Sequence, residues 1–152
     1  MFKSHLELYR SLKRNKVKYL IIGGIACGIY GSPRATKDLD IIIKPTLENA
    51  GRLLEALQEA GFGTACLTTK EKIIANEVNI FQDYIRLDVL TKVKGLDFDT
   101  AWKNRKVKFL KDVGIKVVSI DELIESKTAS GRLIDKEDVK ILKKIKRYKR
   151  NG

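Results

Sequence analysis

Apolar residues along this chain alternate between helical spacing and short strand-like runs, and that alternation predicts most of its elements. Residues 4–15 carry Leu6, Leu8, Tyr9 and Leu12 on one side, which predicts an amphipathic helix ending at Asn15-Lys16. The run Tyr19-Leu20-Ile21-Ile22 then stops at Gly23-Gly24, the mark of a buried strand ending in a tight turn. A short helix from Ile25 leads to the break Gly31-Ser32-Pro33, and a second strand covers residues 39–44. Thr46 is placed to cap a helix whose apolar positions Leu47, Ala50, Leu53, Leu54, Leu57 and Ala60 continue to Gly61. Residues 64–72 read as an irregular connection. Residues 73–81 and 84–90 read as a hairpin turning at Gln82-Asp83.

The remaining pattern predicts a short helix over residues 98–102 and a second hairpin, residues 107–110 and 115–119, turning through Asp112-Val113-Gly114. Ser119 with Glu122 three residues on has the form of a capping box, opening a helix that Gly131 ends. Asp135 is expected to cap the last helix. Val139, Leu142 and Ile145 of that helix face inward, and its other side is almost wholly basic, from Lys140 to Arg150. Helices and strands thus alternate, and the expected fold class is α/β (α+β), a central mixed sheet flanked by helices. No repeat, linker or composition shift divides the 152 residues, so a single domain, 1–152, is expected.

Charge changes this picture most. The chain carries a formal net charge of +12, which favours a polyanionic partner, nucleic acid or nucleotide phosphate, as much as it favours a merely soluble lysine-rich surface. No apolar run approaches the roughly 20 residues that span a bilayer, and the N-terminus lacks a signal peptide's apolar core. A cytoplasmic protein without membrane contact is expected. Cys27 and Cys66 are too far apart in sequence to suggest a zinc knuckle or redox pair. The lone histidine, His5, makes a Ser-His-Asp triad or a histidine metal cluster improbable.

One feature is not explained by folding. Asp38 stands at the entrance of the second strand and Asp40 just inside it, so both point to one side, about 6–7 Å apart. Bare carboxylates at that distance repel by roughly 2–3 kcal/mol at an effective dielectric near 20. A divalent cation between them would remove that repulsion. Asp88 is a further charge inside an apolar strand, where aspartate is disfavoured. Gly23 to Gly28 has the glycine spacing of a P-loop, but Ile29-Tyr30 stand where lysine and a hydroxyl are required, and no G-x-G-x-x-G occurs. What remains is a Gly-Gly turn opening a helix, a general anion site and by itself a weak signal.

A strand, Gly-Gly, a short helix, a Gly/Pro break, Asp-x-Asp on a strand and a lone strand aspartate about fifty residues later form a combination with precedent. It resembles the DNA polymerase β-type nucleotidyltransferase superfamily, in particular its small prokaryotic minimal nucleotidyltransferases and AbiEii-like toxin relatives. The matching residues are Gly23, Gly24, Asp38, Asp40 and Asp88, with Arg34 and Lys37 beside the carboxylates and Lys127, Arg132, Asp135 and Asp138 across the last two helices. The resemblance implies a polymerase-β-like fold and transfer of a nucleoside monophosphate from an NTP, with two Mg²⁺ ions, or Mn²⁺ in their place.

By the same resemblance Asp38, Asp40 and Asp88 are the catalytic and metal-binding residues, and Gly23, Gly24, Arg34, Lys37, Lys127 and Arg132 bind phosphate. An ion pair with Asp135 or Asp138 is the competing role for Lys127 and Arg132. The acceptor implied is a hydroxyl on RNA, tRNA included, or on a protein, and the setting is a toxin–antitoxin or stress module with a small helical partner protein. Gly24 stands where many active members carry serine, a feature shared by the Gly-Gly subgroup. The rival readings are a non-catalytic nucleotide- or RNA-binding regulator of the same fold, and a plain nucleic-acid-binding module built on the basic tail.

Overall fold

The computed structural model describes the backbone of residues 2–33 and 36–151, and the side chains of these except for residues 2–4, 150 and 151. Arg34 therefore lies outside the described residues. Helix α1 (Phe2–Arg14) is followed by strand β1 (Tyr19–Ile22), helix α2 (Gly23–Ile29) and strand β2 (Leu39–Ile43). Next come α3 (Leu47–Glu59), a 3-10 turn (Gly63–Leu67), α4 (Lys70–Ala75), β3 (Val78–Gln82) and β4 (Arg86–Leu90). The chain finishes with α5 (Phe98–Lys103), β5 (Lys106–Leu110), β6 (Val113–Val117), α6 (Ile120–Ser130) and α7 (Leu133–Asn151).

The six strands form one mixed sheet in the order β3-β4-β2-β1-β6-β5. β1 runs antiparallel to β2 and parallel to β6, while β2 runs parallel to β4. β1 is central and buried on both faces, which is why its four residues are apolar without alternation. Leu8, Tyr9 and Leu12 of α1 pack with Leu53 and Leu57 of α3 and the sheet residues Tyr19, Ile21, Ile41 and Ile43 in the main core. This is the mixed, helix-flanked sheet expected from the sequence.

Three boundaries differ. Residues 73–75 close a helix rather than open a strand, because the Thr69 hydroxyl accepts a hydrogen bond from the Lys72 N–H and starts α4 inside the supposed loop. The second hairpin turns at Lys111-Asp112, with Lys111 at φ +55°, so Val113 and Gly114 belong to β6. Asp135 lies within the first turn of α7 instead of capping it. Its carboxylate is drawn inward by three donors, Lys127, Ser130 and Arg132. The caps at Thr46 and Ser119 and the left-handed stop at Gly131 form as their sequences imply.

Candidate active site

β2 and β4 are neighbours in the sheet although 48 positions separate Asp40 from Asp88, and their register pairs Asp40 with Asp88. Both carboxylates therefore share one face, at the middle of the sheet. Ile80 of β3 partners Asp88 on one side and Ile22 of β1 partners Asp40 on the other. Asp38 precedes β2 and is exposed, its N–H held by the Thr36 hydroxyl at 3.3 Å.

Asp40 bears the electrostatic consequence. Burial, then the Asp88 charge, then the Asp38 charge push its carboxyl up from 3.8 to about 6, and Lys127 and Arg86 offset only part of this. Gly23 adds a geometric constraint. It begins α2 directly at the end of β1 with φ +71°, and a Cβ placed there would overlap Asp40 Oδ2 and stand 3.1 Å from its Cγ. Only glycine permits both that backbone conformation and that approach. The expected separate Gly-Gly turn is absent: Gly23 and Gly24 are the first two residues of the helix, whose N-terminus has no side-chain cap.

Sequence reasoning passed over Arg86. Two residues before Asp88 on the same strand face, it clasps that carboxylate with Nε at 3.0 Å from Oδ1 and Nη2 at 3.4 Å from Oδ2. The strand alternation that singled out Asp88 contained this signal. Arg86 and Asp38 also line a pocket of about 370 Å³ with Lys37, Tyr84 and His5. His5, distant in sequence, is thus brought beside the acidic site, and burial lowers its pKa while the Lys37 main chain opposes that shift.

Lys127 and Arg132 stand differently from Lys37. Lys127 is 7% exposed, and its ammonium donates to Asp135 Oδ1 at 3.2 Å and Asp138 Oδ2 at 2.8 Å. Arg132 Nε donates to Asp135 Oδ2 at 2.6 Å. Burial works to raise the Asp135 carboxyl, but hydrogen bonds from Ser130, Arg132 and Lys127 outweigh it and bring it down to about 2. Lys127 thus joins α6 to α7 through ion pairs, while Arg132, in the connection between them, pairs with Asp135 three residues on; ion pairing is the competing role considered for both. They remain close enough to Asp40 to act on its charge, Lys127 lowering its pKa.

The whole chain, residues 1–152, matches the family model described as "Nucleotidyl transferase of unknown function (DUF2204)". The chain belongs to that family. A crystal structure of a Thermotoga maritima protein assigned as a nucleotidyltransferase is similar in fold, with a TM-score of 0.60 over 91% of this chain and 89% of that one, at 14% identity. No curated protein matches in sequence. The nucleotidyltransferase fold and generic nucleotidyl transfer are what these likenesses support, and AbiEii-like traits lie beyond them. Among the described residues no helix is long and apolar enough to cross a membrane.

The donor chemistry fits a divalent cation. Asp40 and Asp88 are paired hard oxygen donors that could hold one, and a cation would relieve their mutual repulsion. Among the described residues no three His, Cys, Asp or Glu side chains are grouped to hold a metal ion by themselves, so Asp38, Asp40 and Asp88 do not make a closed three-carboxylate cage. Mg²⁺ commonly takes only one or two carboxylates and completes its shell with phosphate oxygens and water.

Proposed function

We propose that the chain is a Mg²⁺-dependent nucleotidyltransferase that moves a nucleoside monophosphate from an NTP to a hydroxyl on RNA, a tRNA end included, or on a protein. The observation that carries this reading is the in-register pairing of Asp40 with Asp88 beneath Gly23. Two folding-neutral residues would serve the sheet better than two facing carboxylates, one of them pushed up to about 6.

When bound, Mg²⁺ would supply charge neutralisation at the α-phosphate and at the attacking and leaving oxygens of an in-line displacement. Asp40, with Asp38 at the rim, would hold the ions that carry the triphosphate. Asp88 would accept the proton of the attacking hydroxyl or orient it, once its carboxylate exchanges Arg86 for the incoming group. Gly23 and Gly24 would offer backbone N–H groups to the phosphates, and Lys37 and Arg34 would add positive charge from the segment before β2. Lys127 and Arg132 would act on phosphate at longer range, since their hydrogen bonds go to Asp135 and Asp138. By its AbiEii-like resemblance the protein would work in a toxin–antitoxin or stress module beside a small helical partner.

The test is incubation with each α-³²P-labelled NTP, Mg²⁺, cellular RNA and cellular protein, alongside an Asp38→Ala/Asp40→Ala variant. Label in one macromolecular fraction, lost in the variant, is the expected result. One observation favours a second reading, a regulator that binds nucleotide or RNA without catalysis: Arg86 already neutralises Asp88. Binding of Mg²⁺–NTP with no label transferred would select that reading.

A further inference from the structure

A second cavity lies away from the carboxylates. It is a cleft of about 1210 Å³ between α5, β5, the start of α6 and the end of α7. Its cations come from three separate elements: Lys103 of α5 with Arg105 just after it, Lys106 and Lys108 of β5, and Lys146 and Lys149 of α7. Lys106 and Lys108 share one face of β5 by alternation. Lys108 Nζ and Lys149 Nζ stand 5.7 and 5.8 Å from the centre of the same Tyr30 ring. That ring is buried and anchored by its hydroxyl, which donates to the Val118 carbonyl at 2.6 Å. Arg105 is stacked 4.1 Å over the Trp102 ring.

Cations outnumber acids in the lining, six to four. Lys103, Arg105, Lys106, Lys108 and Lys149 form no direct ion pair with a described carboxylate, although the Lys103 charge acts on Asp97. The acids keep their charge but are held by other groups. Asp97 accepts from the Thr100 N–H and hydroxyl, Glu122 accepts from Asn104 and Ser119, and Asp121 pairs with Lys146, leaving Glu125. The cleft therefore keeps an excess of positive charge, with Lys106, Lys108 and Lys149 free to meet an anion.

We propose that this cleft is the docking groove for a single strand of RNA. Its use for presenting an acceptor rests on the function proposed above, but binding in the groove does not. Several points favour a phosphate backbone over an acidic protein. The cleft's apolar lining is confined to Tyr30, Leu96 and Ile120, whereas protein interfaces centre on buried apolar and aromatic anchors. The cations are spread along the walls, as a repeating backbone charge requires, and Arg105 is pre-set on its aromatic partner. The cleft also communicates with the catalytic face along α6. Ser119 and Glu122 line it at one end of this helix, and Lys127, whose charge reaches Asp40, lies about 8–12 Å further along at 1.5 Å per residue.

The experiment measures binding of a fluorescein-labelled 12-nucleotide single-stranded RNA by anisotropy across a NaCl series. It compares the full chain with K106E/K108E, K103E/K149E and a control, K70E/K72E on α4, which changes net charge equally. Both cleft variants are expected to lose on the order of tenfold or more in affinity and to flatten the dependence of log K on log salt by roughly one unit or more, since each phosphate contact on a single strand contributes about 0.7. The control should change affinity less than about threefold. Equal loss in control and cleft variants would overturn the groove in favour of diffuse attraction, and poly-glutamate competing as well as unlabelled RNA would overturn it in favour of an acidic protein. Circular dichroism of each variant shows whether it is folded, and two variants on different elements guard against a local defect in one. Asp38→Ala/Asp40→Ala should bind the RNA as wild type does, so a failed transfer assay and a failed groove give separate results.

Discussion

Two clusters of charge in this protein, near enough for the Lys127 charge to act on Asp40, are built on opposite terms. In the joint between α6 and α7, the Lys127 ammonium meets Asp135 and Asp138, and Ser130 and Arg132 complete the set, so every buried charge has a partner. On the sheet face, Asp40 and Asp88 are set side by side with Arg86 as the direct partner of only one. The first cluster has its carboxyl lowered to about 2 and the second has its carboxyl raised to about 6. Partnered charge holds the fold. Charge that the fold leaves in conflict is what a ligand can act upon.

The sharpest way to break this contrast is to unbalance the satisfied cluster. Lys127→Met removes the buried cation from Asp138 and leaves Asp135 with Arg132 alone, and should cost about 3–5 kcal/mol of stability in urea unfolding. A loss below about 1 kcal/mol would show that the joint is not held by this pair. Gly23→Ala comes next. It places a side chain at φ +71° and against Asp40, and should cost about 2–3 kcal/mol while abolishing activity. A fully active, equally stable Gly23→Ala protein would remove the close approach from the argument.

Asp40→Asn should instead stabilise the metal-free protein. The folded carboxyl is raised from 3.8 to about 6, so the folded state holds its proton more tightly, and stability falls as pH rises between those values. Two units correspond to about 3 kcal/mol before solvent screening, so a gain of about 1–2 kcal/mol at pH 7.5 in EDTA is expected, vanishing by about pH 4. Mg²⁺ should raise the melting temperature of the wild type and leave that of Asp40→Asn unchanged. The smallest effect belongs to Arg86→Gln. As a half-exposed pair with Asp88 it should cost under about 1 kcal/mol, and the Asp40 titration should move to higher pH because Arg86 lowers it. A shift to lower pH would contradict the geometry of the acidic face.

Much of this was legible before any coordinates. β1, β2 and β4 follow from short apolar runs, and the caps at Thr46 and Ser119 from local chemistry that tertiary contacts did not override. Alternation within β4 marked Asp88, because period two is a property of one strand. That Asp88 belongs with Asp40 was implied by the resemblance alone, and the pairing of β2 with β4 that brings them together was not foreseen, since register between strands 48 positions apart leaves no local trace. Helix α4 was hidden because six residues are too few for a clear helical period, and only the Thr69 cap announced it. The inward turn of Asp135 was likewise hidden, because its donors come from the preceding helix and the connection. The cleft cations were invisible as a group. Read along the chain, they are scattered lysines, and only the packing of α7 beside β5 makes them one wall.

The long-range register of the acidic pair also has a consequence in time. A chain emerging from the ribosome makes Asp40 early, but its partner arrives only after α3, α4 and the β3–β4 hairpin have been built, and Lys127 later still. Contacts of such sequence separation are among the last to pay off in folding. The acidic face is therefore a readout of completion: synthesis must run to α6 before the carboxylates and the cation that tempers Asp40 coexist. An unfinished or truncated product carries the motif but not the site, so activity would be released in one step with the finished fold.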